Sequence, residues 1–126
     1  MPTGFHHVTL NVTDLARSRA FYEGLLGLAV DQDFPGRKVR LRTPDGGRLV
    51  LASALPGTPP GDRFDERRIG LDHIALGVPS RAELDRLLGV LQQAGVPADL
   101  HHDALGPAMI SFRDPDNIQL ELFEVA

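Results

Sequence analysis

The sequence contains no cysteine, which excludes disulfide bridges, thiolate nucleophiles and cysteine-ligated zinc or iron–sulfur centres together. Any metal must therefore take histidine and carboxylate ligands. Tryptophan is absent, there is a single tyrosine, and aromatic residues make up 6%, which argues against a cup built to stack flat ligands. No apolar run approaches the roughly 20 residues needed to cross a bilayer, so no membrane partner is expected. An excess of basic charge is missing too: 13 Lys and Arg stand against 17 Asp and Glu, for a formal charge of -4. Without a basic footprint, nucleic acid is discounted as a partner. The start, Met-Pro-Thr-Gly-Phe-His-His, lacks the basic and continuously apolar segments of a secretory signal, and a cytoplasmic location is expected.

What is present is a globular balance, 42% hydrophobic and 24% charged in 126 residues. That is enough for one cooperative body, since halves of about 60 residues bury too little surface to be stable apart. The chain also repeats itself. His7-Val-Thr-Leu-Asn-Val-Thr-Asp14 lies over His73-Ile-Ala-Leu-Gly-Val-Pro-Ser80, and both copies alternate with the strand period of two. Val8, Leu10 and Val12 then oppose His7, Thr9 and Asn11, while Ile74, Leu76 and Val78 oppose His73, Ala75 and Gly77.

Each strand is followed by a helix start signal. Asp14 or Thr13 can cap a helix over Leu15 to Leu26, and Ser80-Arg81-Ala82-Glu83 reads as a capping box opening a helix to Ala94. Gly27 and Gly95 end them. Further strands are expected at Leu28 to Phe34, Lys38 to Arg42, Arg48 to Ala52, Ala98 to His101, Ala108 to Arg113 and Gln119 to Phe123. The expected organisation is α+β: two βαβββ modules in tandem, residues 4–54 and 70–126, joined by a Pro- and Gly-rich linker at 55–69.

The last hairpins carry the functional signal. Pro44-Asp45-Gly46-Gly47-Arg48-Leu49-Val50-Leu51 lies over Pro115-Asp116-Asn117-Ile118-Gln119-Leu120-Glu121-Leu122 without a gap, so Val50 takes the place of Glu121. If the modules pair about a pseudo-twofold axis, His7, His73, Val50 and Glu121 form a square, three of whose corners can bind a metal. Two imidazoles and one carboxylate suit Fe, Mn, Co, Ni or Zn and leave coordination positions open for substrate. The alternative is two partly buried strand histidines and a solvated edge glutamate. Against it, Glu121 interrupts Leu120 and Leu122, and a buried carboxylate without a cation is costly.

These motifs resemble the vicinal oxygen chelate superfamily, which includes glyoxalase I, extradiol dioxygenases, fosfomycin-modifying thiol transferases and bleomycin-binding proteins. The resemblance is carried by His7 to Leu28, by Gly70-Leu-Asp-His-Ile-Ala-Leu-Gly-Val78, and by Arg113-Asp-Pro-Asp-Asn-Ile-Gln-Leu-Glu-Leu-Phe123. It implies the glyoxalase/dioxygenase fold, its sheets forming a cup around one divalent metal per site, held by His7, His73 and Glu121. The fourth ligand of glyoxalase I falls on Val50, which neither ligates nor accepts a proton. The resemblance therefore implies a metal-dependent lyase, isomerase or dioxygenase acting on a small metabolite. The alternative is a non-catalytic natural-product or antibiotic resistance binder, and a thiol transferase of the fosfomycin-modifying type ranks below both.

No catalytic residue is assigned from sequence. Thr9, Asn11, Arg40, Arg48, Val50, Met109 and Phe123 are the expected pocket residues, with the arginines able to pair with an anionic substrate or to line a wet rim. His6 is expected to point away from His7. His101 and His102 are candidates for the additional His or Tyr that the resemblance to extradiol dioxygenases implies, with solvated loop positions as the alternative. A homodimer is expected, with each site built within one chain or across two.

Overall fold

The computed structural model describes residues 1–102 and 106–125. Residues 103–105, and Ala126 at the expected end of the second module, lie outside the described residues. The chain divides into two compact units, Met1–Asp62 and Arg63–Ala126.

The first unit comprises β1 (Val8–Val12), α1 (Leu15–Arg19), a π-helical segment (Ala20–Leu25), β2 (Ala29–Phe34), β3 (Lys38–Arg42) and β4 (Arg48–Ser53). Its sheet order is β1-β4-β3-β2, with β1 parallel to β4 and the other pairs antiparallel. The second unit comprises β5 (Ile74–Val78), α2 (Arg81–Gln93), β6 (Ala98–His102), β7 (Ala108–Arg113) and β8 (Gln119–Glu124), in the matching order β5-β8-β7-β6. The α+β architecture of two tandem βαβββ modules is thus present. In each, the helix crosses over between β-strands, as a parallel pair requires.

Alternation decides which face each helix covers. In the first sheet Leu10, Val12, Val39, Leu41, Leu49 and Leu51 are buried, with Phe21 and Tyr22. In the second, Leu84, Leu87 and Leu91 recur at helical spacing along α2 and are buried, as are Val78, Ile110, Phe112, Leu120 and Leu122. Each such side chain stabilises its unit by about 1.5–3 kcal/mol, so truncating fully buried Leu91 or Leu120 to Ala would cost about 2–5 kcal/mol.

The first helix departs from the sequence expectation. Instead of one α-helix to Leu26, α1 stops at Arg19 and the chain widens, with Leu26 N–H donating to the Phe21 carbonyl five residues back at 3.2 Å. The adjacent Phe21 and Tyr22 rings are both buried and pack edge to face at 5.4 Å. At the helix starts, Asp14 Oδ1 accepts from Arg17 N–H and Ser80 Oγ from Glu83 N–H, both at 3.1 Å. The expected capping box is only half formed, because the Glu83 carboxylate pairs with Arg86 at 2.9 Å.

The two last hairpins turn alike. Gly46 has φ 93°, and its aligned counterpart Asn117 has φ 70°, a left-handed conformation that Asn tolerates better than other side chains. Asp114 is buried at the second turn, where its Oδ1 accepts from the backbone N–H groups of Asp116 and Ile118 at 2.9 and 2.8 Å. Residues 64–66, within the Pro- and Gly-rich stretch, fasten onto this turn. Phe64 exchanges bonds with Asp116 and Asn117, and Glu66 pairs with Arg113.

Candidate metal centre and substrate face

In the second unit, β8 turns Leu120 and Leu122 toward the core and leaves Gln119, Glu121 and Phe123 on the opposite face. The parallel register sets Glu121 beside Ala75, two residues after His73. This brings His73 Nε2 within 3.3 Å of Glu121 Oε2. The Glu121 side chain is 15% exposed, and among the described residues its only ion-pair partner is His73.

The other imidazole nitrogen is already engaged. His73 Nδ1 lies 2.7 Å from Asp72 Oδ1, which Gln119 Nε2 also approaches at 3.5 Å. Gln119 Oε1 in turn accepts from Arg113 at 3.0 Å, and Arg113 is held by both Glu66 oxygens at 2.7 Å. An imidazole that donates Nδ1–H to a carboxylate presents Nε2 as a lone-pair donor, the arrangement in which metal-binding histidines are usually held. The Asp72 hydrogen bond, helped by the charges of Glu121 and Asp72 and opposed by partial burial, raises His73 above its ordinary pKa. A proton and a metal therefore compete for Nε2. The donor set of an oriented imidazole and a mostly covered carboxylate fits a divalent cation.

Across β7, Ser111 stands opposite Glu121 and Met109 opposite Phe123. His101 lies within β6, as the strand expected over Ala98 to His101 has it, and not in a loop; β6 extends one residue further to His102, and His101 Nε2 lies 3.1 Å from Ser111 Oγ. The face thus carries His73, Glu121, Ser111 and His101 from four strands or their edges.

In the first unit, Thr9 and Arg40 flank Val50 in register. A cavity of about 230 Å³ is lined by His6, His7, Thr9 and Phe34, and by Lys38, Arg40, Arg48 and Val50. Four of the expected pocket residues, Thr9, Arg40, Arg48 and Val50, therefore share one cavity, which Asn11 does not line. His6 corrects the sequence reading. Its Nδ1 lies 2.8 Å from Nδ1 of His7, and its Nε2 lies 3.4 Å from Arg48. Both histidines precede β1, where strand alternation does not yet force neighbours to opposite sides.

His73 and Glu121 are brought together in one unit, while His7 belongs to the other. Within either unit, among the described residues, no group of three or more His, Asp and Glu side chains is gathered as a metal cage. Sequence reasoning missed Asp72, Ser111, His6, Phe34 and Lys38. Lys38 was recoverable, since it shares the period-two face of Arg40. The others carry no local signal.

Comparisons with known proteins show the family and the fold. The family model described as Glyoxalase/Bleomycin resistance protein/Dioxygenase superfamily matches residues 4–122. The uncharacterized protein YwkD of Bacillus subtilis (strain 168) is 30% identical over 124 residues, covering 94% of each chain. The glyoxylase/bleomycin resistance protein/dioxygenase domain from Frankia sp. EAN1pec superposes with a TM-score of 0.83 at 30% identity, over 100% of this chain and 94% of that one. The fosfomycin resistance protein FosX from Listeria monocytogenes, solved with Mn(II), has the same fold at a TM-score of 0.76 and 24% identity, over 98% and 90% of the chains. With its two tandem βαβββ modules and a family match spanning residues 4–122, the chain belongs to the glyoxalase/bleomycin resistance protein/dioxygenase superfamily.

Proposed function

We propose that the chain is a metal-dependent enzyme that grips two neighbouring oxygens of a small metabolite, with His7, His73 and Glu121 as the protein ligands. His7 would come from the first module of the same chain or of a partner copy. The observation that carries this reading is the His73 and Glu121 pair at 3.3 Å, with Nδ1 of His73 already taken by Asp72. When bound, the metal would supply Lewis acidity toward the substrate oxygens. Fe, Mn, Co, Ni and Zn all accept such a donor set, and the Mn(II) of FosX makes manganese the first ion to try.

The chain's own residues do the rest. Asp72 fixes the imidazole orientation. His101, bonded to Ser111 across from Glu121, is placed to hold or move a proton at a substrate oxygen or carbon on this face. Val50 supplies an apolar wall and no base. Lyase, isomerase or ring-opening dioxygenase chemistry that needs only one ligand carboxylate is therefore favoured over glyoxalase I chemistry. Phe5 and Leu71 are exposed two residues before His7 and His73, giving each module apolar surface on which copies can associate.

Water-proton relaxation with added Mn(II) tests this reading. One tight Mn(II) per chain should retain exchangeable waters that a chelating metabolite, such as a catechol or a 2-hydroxy ketone, displaces. Binding that leaves no exchangeable water, or none that these compounds displace, would refute an open catalytic centre.

A further inference from the structure

The cavity on the first sheet is positive in a chain that is negative. Its lining brings Lys38, Arg40 and Arg48 together on neighbouring strands, whereas the chain as a whole carries a formal charge of -4. Among the described residues, no carboxylate lines it. Asp31, at the irregularity in β2, reaches Arg40 from outside the lining at 2.9 Å. Lys38 is held with its ammonium 4.9 Å from the centre of the Phe34 ring, and among the described residues Arg48 meets the His6 ring at 3.4 Å and no carboxylate.

The second module shows how the same positions look without that excess. Arg42 and Arg48 face each other across β3 and β4, as Arg113 and Gln119 do across β7 and β8. In the second module the partner is a neutral amide and the arginine is neutralised by both oxygens of Glu66. In the first module the pair is two arginines, and neither has a carboxylate partner among the described residues. Like charges directly opposite on a sheet are destabilising, so stability does not account for this pair.

We propose that the substrate carries an oxyanionic group, a carboxylate or a phosphate-like group, that docks on Arg48 and Lys38 with Arg40 completing the positive wall. A guanidinium presents paired N–H donors that match such a group. The volume of about 230 Å³ lies below that of drug-sized pockets, which suits one end of a small metabolite. His6 links Arg48 to His7, setting the anion beside a proposed metal ligand. An uncharged diketone or an unsubstituted catechol would leave these cations unanswered. Only the identification of the anion as substrate rests on the metal-enzyme reading; the anion site itself does not.

The test uses the metal-free chain of 126 residues. Acetate, inorganic phosphate and methylphosphonate are titrated separately at constant ionic strength, following the arginine Nε–H and lysine signals by nuclear magnetic resonance. Saturable shifts at Arg48 and Lys38 are expected, tighter for one anion class than the other. Arg48→Gln should weaken binding about tenfold or more and Lys38→Gln by less, while Arg81→Gln, on α2, should change nothing. Shifts that do not saturate, or that are equal in wild type and Arg48→Gln, overturn the proposal. Saturable anion binding by protein that takes up no metal would sustain this site while removing the metal reading. Metal uptake without anion binding would do the reverse.

Discussion

Val50 stands opposite Thr9 in the first sheet where Glu121 stands opposite Ala75 in the second. Thr9 and Ala75 each lie two residues after a histidine, so Val50 is the internal counterpart of Glu121, and the proposed ligand set has no fourth member at that position. Val50 is buried. Val50→Glu should lower the stability of metal-free protein by about 2 kcal/mol or more, because a carboxylate is desolvated without a partner. Mn(II) should raise the Tm of this variant more than that of wild type. A variant whose Tm ignores Mn(II) would separate this position from the site.

Asp72 acts through His73. Asp72→Ala should lower metal affinity about 10- to 100-fold, as loss of an orienting carboxylate usually does, and Asp72→Asn, which keeps an acceptor, should lose less. Nitrogen-15 shifts of the metal-free protein give an independent readout. The wild type should carry the neutral proton on Nδ1 of His73, and Asp72→Ala should move it toward Nε2. An unchanged tautomer would deny Asp72 its positioning role.

The repeat made much of this legible in sequence. Period-two alternation placed β3 and β7 at their observed bounds, and Ser80 and Gly95 marked both ends of α2. The gapless alignment of Val50 with Glu121 is the one the strand registers show. Other features arise only from tertiary context. No residue type signals that the helix after Arg19 widens, and the half-formed capping box reflects Glu83 choosing Arg86 over the backbone of Ser80. Asp72 was hidden because its bond to His73 is selected by side-chain rotation rather than by spacing, and His101, although named from sequence, could not be given its partner Ser111, which strand register selects.

Ser18 is fully buried on α1, and its hydroxyl has no hydrogen-bond partner among the described residues. Removing an unanswered buried hydroxyl while improving helix propensity should be neutral or stabilising by up to about 1 kcal/mol. Urea unfolding of Ser18→Ala measures this. A loss of about 1 kcal/mol or more would mean that the hydroxyl is bonded.

Glu66 and Arg113 give the second unit a pH signature. The Arg113 guanidinium holds the Glu66 carboxyl well down, to about 2 from an ordinary 4.5. A depressed carboxyl contributes stability that is present above its unfolded pKa and lost as pH falls through the folded value. The contribution should therefore fade between about pH 4.5 and 2. Glu66→Gln should lower stability at pH 7 and flatten the acid limb across that window, as read by thermal unfolding. Identical acid limbs would show the ion pair to be energetically silent.

Elemental analysis of protein purified without chelator, with dialysis against Mn(II) as a second arm, tests the metal centre most directly. The expected result is close to one metal per chain in the wild type, lost in both His73→Ala and Glu121→Ala while both variants stay folded. A wild type that comes out metal-free and takes up no Mn(II), or variants that retain the metal in full, would contradict the ligand set His7, His73 and Glu121.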